Sequence, residues 1–181
     1  KEYMIKGFVM DDERLSGRKN NYFDELYERV RKIRTSEANF YQKVRDIFAT
    51  SIDYNPKAET ATMFFKTIQN KFHFAITGYT APEIIATRVN ASKPKMGLVH
   101  TKGKEATRAE IHNAKNYLEE LELKRLELLV EGFLVHAELQ VVEQHPMYMK
   151  DWVQKLDDFI RFNGKKILTN AGKVSRQFAD V

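Results

Sequence analysis

Residues 119–143 read EELELKRLELLVEGFLVHAELQVVE, and this stretch decides the fold that the sequence predicts. Its apolar residues recur at spacings of three and four, which is the period of one face of an α-helix. His145-Pro146 follows and ends the segment, because proline cannot continue a helix. We therefore predict a long central helix from about residue 119 to residue 143. Its predicted apolar stripe consists of Leu126, Leu129, Val130, Phe133, Leu134, Ala137 and Val141.

The segments before this stretch show the same helical period. One amphipathic helix is predicted from the spacing of Phe23, Leu26, Tyr27, Val30 and Ile33, and a second one follows Ser36 with Phe40, Val44, Ile47 and Phe48. A third helix is predicted to begin at Asn55-Pro56 and to run to Thr77, where Gly78 stops it.

Capping signals predict three further helices. Thr80 and Glu83 have the spacing of a capping box, which favours a short helix to about Asn90, and Thr107 and Glu110 repeat the pattern. The last helix is predicted over residues 149–162, before the C-cap signal Asn163-Gly164. No stretch alternates with the two-residue period of a strand. The predicted fold is all-α, an irregular multi-helix bundle around the long central helix, in a single domain over residues 1–181.

Composition excludes several classes of protein. The chain has 181 residues, of which 43% are hydrophobic, and this is enough to bury a core without disulfides. It contains no cysteine, which rules out disulfides, thiolate zinc sites, iron–sulfur clusters and a cysteine nucleophile. A reducing, cytoplasmic compartment is expected. No apolar run reaches the roughly 20 residues that a membrane-spanning helix needs, so no membrane partner is expected.

Charge is distributed unevenly along the chain. Residues 92–108 carry five basic residues and one acid, and residues 159–176 carry five basic residues and no acid. The predicted central helix carries seven glutamates and two basic residues. These segments would neutralise each other within the fold or across a dimer. If they do not, the basic segments offer ammonium groups to phosphates; the candidates are Lys93, Lys95, Lys102, Lys104, Lys165 and Lys166.

Residues 69–97, QNKFHFAITGYTAPEIIATRVNASKPKMG, hold the candidate catalytic residues. Gln69 lies one helical turn before His73, so its amide is placed to orient the imidazole. Arg88 and Lys71 would stabilise an anion, which makes His73, Arg88 and Lys71 the candidate set. The alternative interpretation is a partly buried histidine whose neighbours satisfy it. The histidines show no metal-ligand spacing, so neither a metal nor another cofactor is expected.

The same stretch closely resembles the bacterial RhuM family, virulence-associated proteins that are often found on mobile elements. Similar stretches are SIDYNPKAET at 51–60, KNYLEELELKRL at 115–126, PMYMKDWVQKLDDF at 146–159 and ILTNAGKVS at 167–175. Family members typically carry an upstream segment that looks like a phage-type DNA-associated module. This chain begins without methionine, in what reads as a helix tail and linker over residues 1–20. The resemblance therefore implies the C-terminal region of a longer protein.

Three functions remain open on the sequence. The first is a nucleic-acid-associated or partner-binding module, in which the basic segments contact DNA or RNA phosphates. The second is a toxin-like enzyme that acts on a phosphodiester or nucleotide, with His73 as acid or base. The third is a homo-oligomerisation domain, in which the acidic helix of one copy meets a basic segment of another. Convergence of His73, Arg88 and the loop lysines in one pocket would favour the enzyme.

Overall fold

The computed structural model of the protein describes residues 7–17, 22–55 and 59–174. These residues form eight α-helices and no strand, which confirms the predicted all-α class. The helices are α1 (Asp12–Ser16), α2 (Tyr22–Arg34), α3 (Glu37–Phe48), α4 (Glu59–Thr77), α5 (Ala81–Arg88), α6 (Arg108–Ile111), α7 (Glu120–Val142) and α8 (Met149–Phe162). Two short 3-10 turns lie at Pro94–Gly97 and Ala114–Tyr117.

Helix α7 occupies the centre, and it contacts α2, α3, α4 and α8. Glu119 caps its beginning and Glu143 its end, so the predicted boundaries are confirmed. The predicted stripe faces the core: Leu126, Leu129, Val130, Phe133, Leu134 and Ala137 are buried, and Val141 is partly buried. The bundle is therefore organised around the long central helix that the sequence predicts.

Aromatic side chains join the helices around α7. The ring centroids of Phe48 on α3 and Trp152 on α8 lie 5.8 Å apart, and Phe72 on α4 lies 5.8 Å from Phe133 on α7. Phe133 also contacts Phe159 of α8 at 5.8 Å. These tilted and edge-on pairs bury large apolar areas. Each pair also stabilises the fold by about 0.5–1.5 kcal/mol in addition to the contribution of its buried area.

Helix α2 forms as predicted, but its apolar side does not face the core. Phe23 is 57% exposed and Ile33 is 63% exposed, whereas Arg31 is buried. The reason is electrostatic: the Arg31 Nε donates to Glu131 on α7 at 2.8 Å, and its guanidinium lies over the ring of Tyr27. Because these contacts hold Arg31 on the inner side of α2, the apolar residues Phe23 and Ile33 lie on the outer side.

Most predicted boundaries agree with the structure. Helix α4 ends at Thr77 before Gly78, whose φ of 77° favours glycine, and both predicted capping boxes form. Helix α5 ends at Arg88, two residues before Asn90. Part of the predicted linker forms the short α1. The predicted helix tail at residues 1–6 and the start at Pro56 lie outside the described residues.

The core contact of Phe133 gives a test of this architecture. Phe133 is 1% exposed, so Phe133→Ala leaves a cavity and should lower the free energy of unfolding by about 3–5 kcal/mol. The matched control is Phe162→Ala, because Phe162 is 89% exposed and should change stability by less than about 0.5 kcal/mol. Urea unfolding followed by circular dichroism measures both variants. Equal losses would contradict the described core.

Candidate functional site

The first candidate site is a cavity of about 50 Å³ between α4, α7 and the residues before α7. We call it the His73 chamber. Its lining residues are Thr35, Gln69, Phe72, His73, Asn113, Lys115, Leu126, Glu127 and Val130. The volume exceeds the roughly 10–15 Å³ that one water molecule needs, and the lining is mixed in polarity. The chamber therefore fits water or a small polar group.

His73 is a buried titratable side chain that lines this chamber. It is 4% exposed, and its ring Nδ1 has no hydrogen-bond partner among the described residues. Burial, together with a smaller effect of the nearby Lys115 ammonium, lowers the pKa of His73 to about 4. At neutral pH the imidazole is therefore uncharged, with a ring nitrogen available for a hydrogen bond or a proton.

Lys115 and Glu127 form the charged part of the chamber. The Lys115 Nζ lies 3.2 Å from a Glu127 carboxylate oxygen and donates to the Thr35 carbonyl at 3.4 Å. The sequence analysis missed both residues. A signal was present for Glu127, which lies three residues before Val130 and seven before Leu134 and therefore shares their buried face. An acid at such a position needs a partner.

Arg88 lies elsewhere, where it joins α5 to the beginning of α7. Its guanidinium donates to both carboxylate oxygens of Glu122, at 2.7 Å for the Nη2 contact, and to the Tyr117 carbonyl at 2.8 Å. The hydrogen bonds between them raise the pKa of Arg88 and lower that of Glu122. This bidentate pair fixes the guanidinium in a structural contact.

Lys71 points to the other side of α4. Its Nζ contacts both carboxylate oxygens of Asp157 on α8, at 2.8 and 3.0 Å, and donates to the Leu168 carbonyl at 2.9 Å. Residues two apart on a helix point about 200° away from each other, so Lys71 and His73 face different neighbours. The structure does not bring His73, Arg88 and Lys71 together, and their catalytic roles stay predictions.

The second candidate site is the basic loop, residues 93–104. Lys93, Lys95, Lys102 and Lys104 are all exposed, and none forms an ion pair with a carboxylate in the described part of the chain. The Lys95 Nζ donates to the Thr101 hydroxyl at 2.7 Å. Four ammonium groups thus remain accessible on one loop.

The backbone of the basic loop is held firmly. The Glu110 carboxylate accepts the Lys102 N–H at 2.7 Å and the Thr107 N–H at 2.9 Å. These hydrogen bonds, helped by the Thr107 hydroxyl and the Lys102 charge, lower the pKa of Glu110 to about 2. Asn113 lines both the open recess beside this loop and the His73 chamber, so the two candidate sites are neighbours.

The backbone of the loop also adopts an unusual conformation. Lys95, Met96 and Gly97 have φ values of 55°, 59° and 82°, and the first two are rare for residues with a side chain. A side chain on Gly97 would meet the Arg88 carbonyl oxygen at 2.9 Å, so glycine is required there. The turn is closed by the Asn90 N–H, which donates to the Met96 carbonyl at 3.0 Å.

The basic tail from Lys165 onward is attached to the bundle through its backbone. The Leu168 carbonyl accepts from Lys71, and the Lys173 N–H donates to Glu83 on α5 at 2.6 Å. Lys165 is half-buried and Lys166 is exposed. Arg176, which the sequence analysis placed in the same basic segment, lies outside the described residues.

Four glutamates of α7 are paired with cations of the chain, but not with those of the two basic segments. Cations from α2, α5 and the 3-10 turn before α7 reach them instead. The pairs are Glu122 with Arg88, Glu127 with Lys115, Glu131 with Arg31 and Glu138 with Arg34. The segments of opposite charge that the sequence suggested as partners therefore do not pair within the described chain.

Two further kinds of site were sought in residues 7–17, 22–55 and 59–174. No group of three or more His, Asp or Glu side chains is arranged there to hold a metal ion. None of the helices in these ranges has the length and apolar character that crossing a bilayer requires.

The fold and its sites define an all-α protein in which a histidine chamber adjoins an exposed basic loop. A model of the Virulence protein RhuM family matches residues 1–181, the whole of the chain. The chain belongs to this family. No curated protein and no solved structure matches it significantly.

The lowered pKa of His73 predicts a pH dependence of stability. The folded-state value of about 4 lies below the usual 6.5, so the unfolded chain takes up the proton first. The contribution of neutral His73 to the free energy of unfolding is complete above about pH 6.5, and it is lost as the pH falls towards 4. His73→Gln should weaken this dependence, whereas His145→Gln, at an exposed histidine, should retain it. Urea unfolding at several pH values measures it; an unchanged profile for His73→Gln would contradict the assignment.

The Lys71–Asp157 contact predicts a structural defect on substitution. Lys71→Met leaves Asp157 and the Leu168 carbonyl without their partner, and should lower the free energy of unfolding by about 3 kcal/mol. Lys66→Met, at an exposed site on the same helix, should change it by less than about 0.5 kcal/mol. Thermal and urea unfolding measure both variants. A neutral Lys71→Met would show that the contact does not stabilise the fold.

Proposed function

We propose that this RhuM-family protein binds nucleic acid and that its basic loop contacts the phosphate backbone. One observation carries the proposal. The cations that face α7 are paired with its glutamates, whereas Lys93, Lys95, Lys102 and Lys104 remain exposed and form no ion pair in the described chain. The paired cations thus lie within the bundle, whereas the four exposed lysines lie on the loop outside it.

Accessible lysines on a well-held loop suit phosphate contacts. Ammonium groups release condensed counterions when they neutralise phosphates, and this term supplies most of non-specific binding. Contacts of this kind set position but read no sequence. The hydrogen bonds of Glu110 hold the loop backbone, so less conformational freedom is lost on binding. Lys165 and Lys166 would add contacts on the tail.

Binding should depend steeply on salt. If the four loop lysines each neutralise one phosphate of duplex DNA, affinity should fall roughly a hundredfold between about 50 and 200 mM salt. Fluorescence anisotropy with labelled double-stranded DNA, single-stranded DNA and RNA measures this directly. Lys93→Glu combined with Lys104→Glu should weaken binding more than tenfold at the lower salt concentration, because each substitution replaces an attraction by a repulsion.

The matched control is Lys66→Glu combined with Lys150→Glu, which changes the net charge equally at exposed sites on α4 and α8. This control should lose much less affinity than the loop variant. Equal losses would show that net charge alone matters and would remove the loop from the proposal. Absence of binding by the original protein at the lower salt concentration would overturn nucleic-acid binding altogether.

A second candidate function is a reaction on a phosphodiester or nucleotide. The Nδ1 of His73 favours it, because this atom has no hydrogen-bond partner among the residues that the structure describes. A neutral imidazole serves as a general base when a substrate hydroxyl or water lies within hydrogen-bond reach. In the chamber, the neighbouring cation is Lys115 rather than Arg88 or Lys71. Asn113 lines both this chamber and the recess beside the loop, where a phosphate would lie.

The reaction is tested in the same samples as the binding. Labelled nucleic acids and free nucleotides are incubated with the protein and analysed for cleavage products. Catalysis by His73 predicts product that His73→Gln abolishes while circular dichroism shows an intact fold. Product formation that survives His73→Gln would overturn this role, and absence of product from every substrate would count against the reaction and leave the binding proposal standing.

A further inference from the structure

Helix α7 carries a second apolar stripe, on the side opposite its core stripe. It consists of Leu121, Leu128, Val135, Leu139 and Val142, whose exposed fractions lie between 45% and 77%. Four of these residues, at 121, 128, 135 and 142, follow a spacing of seven. Seven residues are nearly two helical turns, so they form one row along the helix. We call these five residues the outer stripe.

The outer stripe has the spacing that an antiparallel copy of itself would match. When a second α7 runs in the opposite direction, Leu121 lies opposite Val142 of the second copy and Leu128 lies opposite Val135. The two-fold axis then passes between Glu131 and Gly132. Such a contact uses the same patch on both copies, as a two-fold symmetric interface requires. Paired aliphatic rows of this kind form the seam of helical dimers.

The charges beside the outer stripe also favour the antiparallel direction. The Lys124 Nζ lies 3.4 Å from the Glu28 Oε1, and the Glu138 Oε1 lies 2.7 Å from the Arg34 Nη2. Glu28 and Arg34 belong to α2, so Lys124 and Glu138 both border the outer stripe on the side of α2. A two-fold axis perpendicular to the two α7 helices places this side of one helix next to the same side of the other. In the register above, Lys124 of one copy lies within about one residue of Glu138 of the other. A parallel pair would instead place each Lys124 beside its equivalent.

We infer that two copies of this chain associate through the outer stripe, with their α7 helices antiparallel. The occupant of this apolar face is therefore a second copy of the chain. The inference is independent of nucleic-acid binding. It differs from a pairing of acidic and basic segments because Glu122, Glu127 and Glu131 of α7 already have partners within the chain. Burial of exposed aliphatic side chains drives the association, and Lys124 and Glu138 set its direction.

The mass of the protein in solution tests whether the association occurs. Light scattering during size-exclusion chromatography should give twice the 21.2 kDa of one chain. Val135→Glu places a carboxylate in the seam and should return the mass to that of one chain. Met63→Glu is the matched control, because Met63 is 58% exposed on α4, and it should stay dimeric. A single-chain mass for the original protein would overturn the inference.

Cysteine cross-linking tests the direction, since the chain has no cysteine of its own. Tagged Leu128→Cys is mixed with untagged Val135→Cys under mild oxidation. The antiparallel register predicts a mixed disulfide between the tagged and untagged chains. Leu128→Cys alone should not cross-link, because its two copies would lie about 10 Å apart along the axis, beyond disulfide reach. Cross-linking of Leu128→Cys alone would indicate a parallel pair and overturn this geometry.

Discussion

The central helix carries glutamates where its helical period requires burial, and the rest of the structure depends on neutralising them. Glu127 and Glu131 are buried on α7 among leucine, valine and phenylalanine side chains. A buried carboxylate without a partner would cost several kcal/mol, so each must be met by a cation from another element. Arg31 of α2 meets Glu131, and Lys115 of the turn before α7 meets Glu127. These contacts fix how α2 and the turn lie against the central helix.

This constraint also decides what the candidate site contains. Arg88 is held by Glu122, and Lys71 is held by Asp157, so neither joins His73. Lys115 lies beside His73 because its ammonium group forms an ion pair with the Glu127 carboxylate. The chamber therefore combines a neutral histidine with an ion pair. Within residues 7–17, 22–55 and 59–174, the lysines of the basic loop have no such carboxylate partners. This contrast separates the two candidate sites, although Asn113 borders both of them.

Much of the fold follows from local signals in the sequence. The bounds of α7, the stop at Gly78 and the capping boxes at Thr80 and Thr107 depend on residues close in the chain, and all were predictable. The orientation of α2 was not predictable, because a pair separated by 100 positions determines it. The composition of the chamber escaped prediction for the same reason. The tertiary fold brings Lys115 close to His73, whereas hydrophobic periodicity predicts each helix separately.

A double-mutant cycle on Arg31 and Glu131 tests the central claim most directly. Arg31→Met and Glu131→Leu are measured singly and together by urea unfolding. If the buried pair organises α2 against α7, Arg31→Met loses about 3–5 kcal/mol because Glu131 stays buried without its partner. Glu131→Leu loses less, because the Arg31 Nη1 keeps its 2.8 Å contact with Glu28. The double variant should then lose at least 1–2 kcal/mol less than the sum of the two single losses. Additive losses would contradict the account, since they would show that the two side chains stabilise the fold independently.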